Sequence, residues 1–207
     1  HGTVRVEGGQ KMSKSLGNII DPIEIIDEMG ADALRFSMMM LAATDVYLSR
    51  EKFEMGRNFT NKIWNATRFV LSNVSGVSFF SKYRHCEPRR GEAISESEIA
   101  SSAFGLLAMT ELVADHLSTV DKWILAELDD TIIKTDEFLS AFRFYEAANA
   151  LYHFFWHSFC DWYLELIKPV LTGKESEERK KVVQSILVHV LETSARLLHP
   201  FMPFISE

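Results

Sequence analysis

The sequence predicts a mainly α-helical protein, an antiparallel helix bundle preceded by a short β-hairpin and a polar loop. Three observations carry this. Apolar residues recur at intervals of three and four along several long stretches, the mark of amphipathic helices. The 207 residues include only 10 Gly and 5 Pro, so long regular elements are possible. Hydrophobic content is 47% and aromatic content 12%, with 15 Phe and 4 Trp, enough bulky side chain for a real core. Helices with facing apolar stripes and short connections bury them by packing as bundles.

Residues 3–12 read as the hairpin: Thr3-Val4-Arg5-Val6 alternates, and Glu7-Gly8-Gly9-Gln10 is a turn. Residues 13–21 form a polar loop. Asp21 then caps a helix with Pro22 at its first position and Glu24 completing a broad capping box. Gly30 is expected to close it in a left-handed cap. Residues 31–43 form a second, very apolar helix. From Ser49 to about Asn73 the pattern Phe53, Gly56, Phe59, Ile63, Ala66, Val70, Val74 gives one long helix. The stretch 75–117 is the least readable: Lys82, Arg84, Arg89 and Arg90 give way to a Ser/Glu-rich run, and Phe104–Val113 is a candidate helix. Periodicity resumes at Thr119 with Ile124, Leu128, Ile132, Thr135 and Leu139. Leu151, Phe155, Phe159, Trp162 and Leu166 mark another helix, which Pro169 is expected to end. Val183, Leu187, Val190, Ser194 and Leu197 mark the last, broken by Pro200 and Pro203. No internal repeat is evident.

The formal net charge is −7, which argues against a general nucleic-acid coat protein but leaves room for a local RNA site. Residues 1–75 hold nine Lys/Arg and nine Asp/Glu, so the whole excess of acid lies in the remainder. Arg50 to Arg68 is locally basic, and the N-terminal third is the better place for a polyanion. Cys86 and Cys160 are far apart in no metal-like spacing and read as free thiols of a reducing compartment. No apolar run approaches the ~20 residues needed to span a membrane. No signal peptide is visible. The chain opens on His1 rather than Met, so a natural N-terminus further upstream is expected.

The stretch richest in chemistry is Lys11-Met12-Ser13-Lys14-Ser15-Leu16-Gly17-Asn18. Two ammonium groups three residues apart can neutralise phosphate oxygens as point charges. Ser hydroxyls can add hydrogen bonds, and Gly8, Gly9 and Gly17 let the loop move over a nucleotide. On composition alone, an ordinary solvated surface loop is the better reading. The wording itself is more specific. KMSKS at 11–15 resembles the signature loop of class I aminoacyl-tRNA synthetases, and its surroundings, LGN-IIDP and GADALRF, are family-like. GRNFTNKIWNATRFVL (Gly56–Leu71), DKWIL (Asp121–Leu125), FCDWYLELIKP (Phe159–Pro169) and HPFMPFISE (His199–Glu207) are similar to the valyl-tRNA synthetase family. The likeness lapses across 75–117. The family's nucleotide-binding fold, HIGH motif and editing domain lie upstream of KMSKS and are not in these residues.

The resemblance implies a division at residue 43. Residues 1–43 would be the C-terminal end of the catalytic domain with stem-contact helices, and 44–207 the helical anticodon-binding domain, incomplete at its C-terminus. It implies a ligase that attaches valine to its tRNA using ATP with Mg2+, cytoplasmic, monomeric as a whole protein and bound to no membrane. These residues alone are expected to be inactive and to bind no cofactor. Lys14 and Lys11 would be the catalytic lysines, with Lys14, Ser13 and Ser15 on the ATP phosphates. Along the long helix, Arg57, Asn58, Lys62, Asn65 and Arg68, with Asn61, are candidates for tRNA contact; Arg and Lys suit phosphates and Asn suits exposed base edges. The alternative for this set is hydrogen bonding between helices. Phe69 and Trp64 are candidates to stack on bases, although an aromatic on a bundle helix more often fills the core. His153, His157, Cys160 and Asp161 share a helix but lack the catalytic Glu of a zincin pattern; packing and surface roles are expected, and no metal. The rival readings are an isoleucyl-tRNA synthetase segment and a non-catalytic helical module that binds tRNA or protein.

Overall fold

Most of the expected helices form, and their ends follow the local chemistry. The computed structural model describes residues 4–6, 9, 12–41, 46–74 and 117–207; the expectations for 75–116 lie outside them. The hairpin expected over residues 3–12 falls largely outside the described residues, which include strand β1 (Val4–Val6). Among the described residues its partner is β2 (Val46–Leu48), in parallel, with Val4 opposite Val46 and Val6 opposite Leu48. Parallel strands need a crossover of a dozen or more residues. Helices α1 (Pro22–Met29) and α2 (Ala31–Leu41) lie on that crossover. A local turn pattern cannot reveal such a partner. Glu7, Gly8, Gln10 and Lys11 lie outside the described residues.

The Asp21 carboxylate accepts the Ile23 N–H at 2.9 Å and Pro22 opens α1, as the sequence requires. Gly30 ends it with φ 93° but ψ 154°, a positive φ without the left-handed helical ψ expected. Helix α3 (Arg50–Asn73) carries the expected stripe, with Phe53, Gly56, Phe59, Ile63, Ala66 and Val70 all buried. Helix α2 joins two cores. Ala33 packs with Ile25, Met29 and Phe53, while Phe36 belongs to the main bundle core.

Helix α2 packs tightly on α3 at Gly56. A Cβ there would stand 2.3 Å from the Ala33 carbonyl oxygen and 2.5 Å from Ser37 Oγ. Ser37 Oγ also accepts the Gly56 N–H at 3.2 Å. Helix propensity alone favours Ala over Gly by about 1 kcal/mol. Overpacking against backbone costs about 1–3 kcal/mol and occasionally more. Gly56→Ala is therefore expected to be destabilising on balance and Gly56→Val more so, seen as successive drops in melting midpoint. A midpoint unchanged in Gly56→Val would show that the two helices part without cost.

Helix α4 (Thr119–Ser140) starts in a capping box of Ser118 and Asp121. It ends with the Phe142 N–H on the Leu139 carbonyl and the Arg143 N–H on that of Phe138, which places Phe142 at φ 57°. That pairing is the Schellman cap, which usually holds Gly at this position. The next helical run is continuous but not uniform. It passes from α5 (Phe144–His153) through a π-helical segment (Phe154–Tyr163) into α6 (Leu164–Leu171). A π turn closes on the fifth residue rather than the fourth and is wider than an α turn. Mixing the two keeps a strict four-residue spacing on one face. Ala147, Leu151, Phe155, Phe159, Tyr163, Ile167 and Leu171 are all buried. The expected continuation of that stripe through Trp162 and Leu166 assumed an α period. Both are instead exposed, at 62% and 49%. Pro169 lies within α6 rather than ending it.

Helix α7 (Glu177–Leu198) buries Val183, Leu187, Val190 and Ser194 as expected, with Leu198 rather than Leu197 completing the face. Pro203 opens α8 (Pro203–Ser206). Three polar ties fix the bundle. Asp32 on α2 caps α8, accepting the Phe204 and Ile205 N–H groups at 3.3 and 2.7 Å. Arg35 donates to the Phe201 and Pro200 carbonyls. At the other end, the Gln184 amide donates to the Asn73 carbonyl at 2.6 Å, where α3 stops.

Candidate functional site

The loop that carries the lysines is clipped at both ends and free in the middle. Met12 before it and Ile20 after it pack against the small core of Ile25, Met29, Ala33 and Phe53. Between them, Lys14–Leu16 make one 3-10 turn that closes on Gly17 at φ 64°, ψ 16°. Gly17 supplies the left-handed conformation that lets this turn reverse. The Asn18 side-chain oxygen accepts the Ser13 N–H at 2.9 Å, and the Ser13 and Ser15 hydroxyls share a hydrogen bond of 2.7 Å. Lys14, Ser15, Leu16 and Gly17 are exposed. Among the described residues no side-chain partner holds the Lys14 ammonium. Lys11 lies outside the described residues. The arrangement is a cation on a short tether, with two hydroxyls beside it and its base fixed to α1, α2 and α3. It can meet an anionic group brought to it without first breaking an ion pair.

Helix α3 turns one face to solvent. Asn58, Asn61, Trp64, Asn65 and Arg68 are exposed along it, Trp64 at 56%. Arg57 is half-buried and only loosely engaged by Glu54, at 3.9 Å. Two of the expected contact residues face elsewhere. Lys62 reaches across to the π segment, where its ammonium lies 2.8 Å from the Asp161 carboxylate and 5.0 Å from the Trp156 ring centre. Phe69 is half-buried against the main core. Of the two aromatics considered for stacking, Trp64 is therefore the one presented to solvent. Its offset of three and four from Asn61 and Arg68 was the signal that could have found it.

The His153, His157, Cys160, Asp161 group is split by the helix. The Cys160 thiol is buried, and burial pushes its pKa up to about 12. His157 Nδ1 and the Asp161 carboxylate lie 3.1 Å apart at the surface. Partial burial acts to raise the Asp161 pKa, but hydrogen bonds from Lys62 and His157 outweigh it and hold the carboxyl below its ordinary range. This is an ion-paired surface cluster that ties α3 to the π segment.

Residues 121–207 match the family described as the anticodon-binding domain of tRNA ligase, and residues 1–53 match tRNA synthetases class I (I, L, M and V). The chain belongs to the class I tRNA synthetases. Across its whole length it is 42% identical to the valine–tRNA ligase of Bdellovibrio bacteriovorus, 44% to that of Thermotoga maritima and 45% to that of Fervidobacterium nodosum. It covers 21%, 20% and 20% of those proteins, so the chain spans about a fifth of the length of the curated relatives it matches. Solved class I synthetases share the fold. A leucyl enzyme of Agrobacterium radiobacter K84, in a ternary complex with tRNA and LeuAMS, aligns over 100% of this chain and 21% of its own with a TM-score of 0.65 at 22% identity. The Mycobacterium tuberculosis methionyl-tRNA synthetase bound by methionyl-adenylate aligns over 98% of this chain and 35% of its own, TM-score 0.66, also at 22% identity. In class I synthetase terms, the lysine loop falls within the stretch matched to the synthetase family, and the bundle from Asp121 onward within the stretch matched to the anticodon-binding family.

Proposed function

We propose that these residues serve a valine–tRNA ligase as its ATP-phosphate loop and most of its anticodon-binding bundle. The observation that carries this is the exposed, unengaged Lys14 on a loop anchored to the helix that presents Arg57, Asn58, Asn65 and Arg68. Residues 1–43 close the catalytic domain and 44–207 bind the tRNA. The whole protein is a cytoplasmic monomer that activates valine with ATP and Mg2+ and transfers it to its tRNA. Lys14 meets the phosphates as negative charge builds on them, with Ser13, Ser15 and Lys11 beside it. The exposed face of α3 meets the RNA through Arg57 and Arg68 at phosphates and through Asn58 and Asn65 at base edges. Phe69 supports that face from behind, and Lys62 stands at its edge, paired with Asp161.

Three assays test the proposal. The full-length protein should exchange pyrophosphate into ATP with valine and not with isoleucine, and charge valine tRNA. These 207 residues alone should show only background exchange. They should bind tRNA weakly and with steep salt dependence. Isoleucine-dependent exchange would move the assignment to the isoleucyl enzyme. Absence of exchange with any amino acid would leave the non-catalytic module.

A further inference from the structure

The outward face of α3 adjoins a second row of polar side chains. His153 and His157 stand exposed four residues apart, and Asp161 follows after four more. The widened helical turn that aligns the buried residues at four-residue spacing aligns these three on the opposite side. The two imidazole centres are 5.4 Å apart, with ring planes 32° apart. One Asp161 oxygen takes His157 Nδ1 at 3.1 Å and the other takes Lys62 Nζ at 2.8 Å. Tyr152 lies edge-on to both imidazoles, at 5.7 and 6.1 Å. Asn58 and Asn65 flank Lys62 on α3, each about one turn away.

The charge on this seam depends on the imidazoles. Lys62 from α3 and Asp161 from the π segment offset each other. Tyr152 from α5 is neutral well above neutral pH, since burial raises its pKa. From α4, Glu127 meets this segment through Ser158 Oγ at 3.4 Å, not through the histidines. Each proton taken up by an imidazole therefore adds positive charge, and among the described residues only Asp161 lies against it.

We propose that His153 and His157 form, with Lys62, a second RNA backbone site that holds one phosphate between the two imidazoles when they are protonated. The proposal rests on the reading that α3 faces tRNA. The ring separation lets both imidazoles donate to one phosphate, and such charge-assisted bonds are strong. Asp161 is a positioning residue. It takes the Nδ1 side of His157, leaves Nε2 for the ligand, and anchors Lys62 beside it.

The test is a fluorescence titration of the 207-residue chain with valine tRNA at about pH 6 and about pH 8, across a salt series. The wild-type chain should bind about tenfold more tightly at the lower pH. Its log–log salt slope should steepen there by about 0.9 for each additional phosphate that the imidazoles neutralise. The His153→Gln, His157→Gln double variant should bring the affinity ratio between the two pH values close to one. Both side chains are exposed, so its circular dichroism melt should match wild type. A ratio that persists in the double variant, or a wild-type ratio near one in a chain that binds at the higher pH, overturns the proposal and spares the α3 reading. Arg68→Ala should weaken binding at both pH values without changing the ratio. Absence of binding at both pH values brings down the α3 reading and this one with it.

Discussion

Lys14→Ala in the full-length protein is expected, on the proposed function, to slow adenylate formation by about 10²–10³ while leaving the affinity for valine nearly unchanged. The size is that of losing one preorganised electrostatic contact to a charge that builds in the transition state. On that reading Lys14 is available for the contact because no described residue competes for it: its turn is exposed, and its ammonium has no partner among the described residues. The same exposure predicts little effect on folding, within about 0.5 kcal/mol as for most surface substitutions. The two halves of the reaction should respond differently. Pyrophosphate has left before the amino acid passes to tRNA, so transfer from preformed adenylate should be slowed less. Pre-steady-state rates for the two steps, with a melting curve alongside, decide the matter. Equal slowing of both, or a large fall in melting midpoint, would make Lys14 a structural residue. Ser15→Ala provides a useful contrast. It removes the 2.7 Å bond to Ser13 but no charge, so a smaller loss in the first step is expected.

The helices were legible where one local cause sets them. Asp21-Pro22 opens α1, and the apolar residues of α3 at spacings of three and four all reach the core. What the sequence hid was non-local or changed the period. The parallel partner of β1 lies beyond two helices, where no local pattern points to it. The run from Ala147 to Leu171 has a spacing of four, which an α period reads as a drifting stripe. Hence Trp162 and Leu166 were expected inside, where Tyr163 and Ile167 lie. The lysine loop was legible because its motif is contiguous. The face of α3 was only partly so. Nothing local says that Lys62 will meet Asp161, 99 positions away, or that Phe69 turns to the core while Trp64 does not.

The same limit hid the polar centre of the bundle, and there the largest loss of stability is expected. Asp121 has no exposed surface. Its carboxylate accepts the Ser118 N–H at 2.8 Å, the Tyr163 hydroxyl at 2.9 Å and the Arg179 guanidinium at 2.6 Å. One side chain thus joins the start of α4, the end of the π segment and the start of α7. Asp121→Ala leaves a nearly buried guanidinium with the neutral Ser118 hydroxyl, at 3.0 Å, and Glu175, at 3.8 Å, and a buried phenol without its acceptor. Removing one partner of a buried ion pair costs about 3–5 kcal/mol, because the other charge stays behind. Loss of the capping box adds about 1 kcal/mol. Against a typical total of about 5–15 kcal/mol, the variant should be close to unfolded at 37 °C. Tyr163→Phe keeps the ion pair and should cost only about 1 kcal/mol. It should also flatten the alkaline limb of stability. Burial, and then the Asp121 carboxylate, raise the Tyr163 pKa in the folded state. The folded chain therefore holds a proton that the unfolded chain gives up near pH 10, and stability falls as pH rises beyond that point. Cys160, its pKa pushed up to about 12 by burial, contributes a separate part of that slope and should remain in the variant. Denaturant unfolding of the three proteins at neutral pH and at about pH 10.5 measures both effects. A loss below about 1 kcal/mol for Asp121→Ala would mean that water or a shifted Arg179 satisfies the centre without the carboxylate.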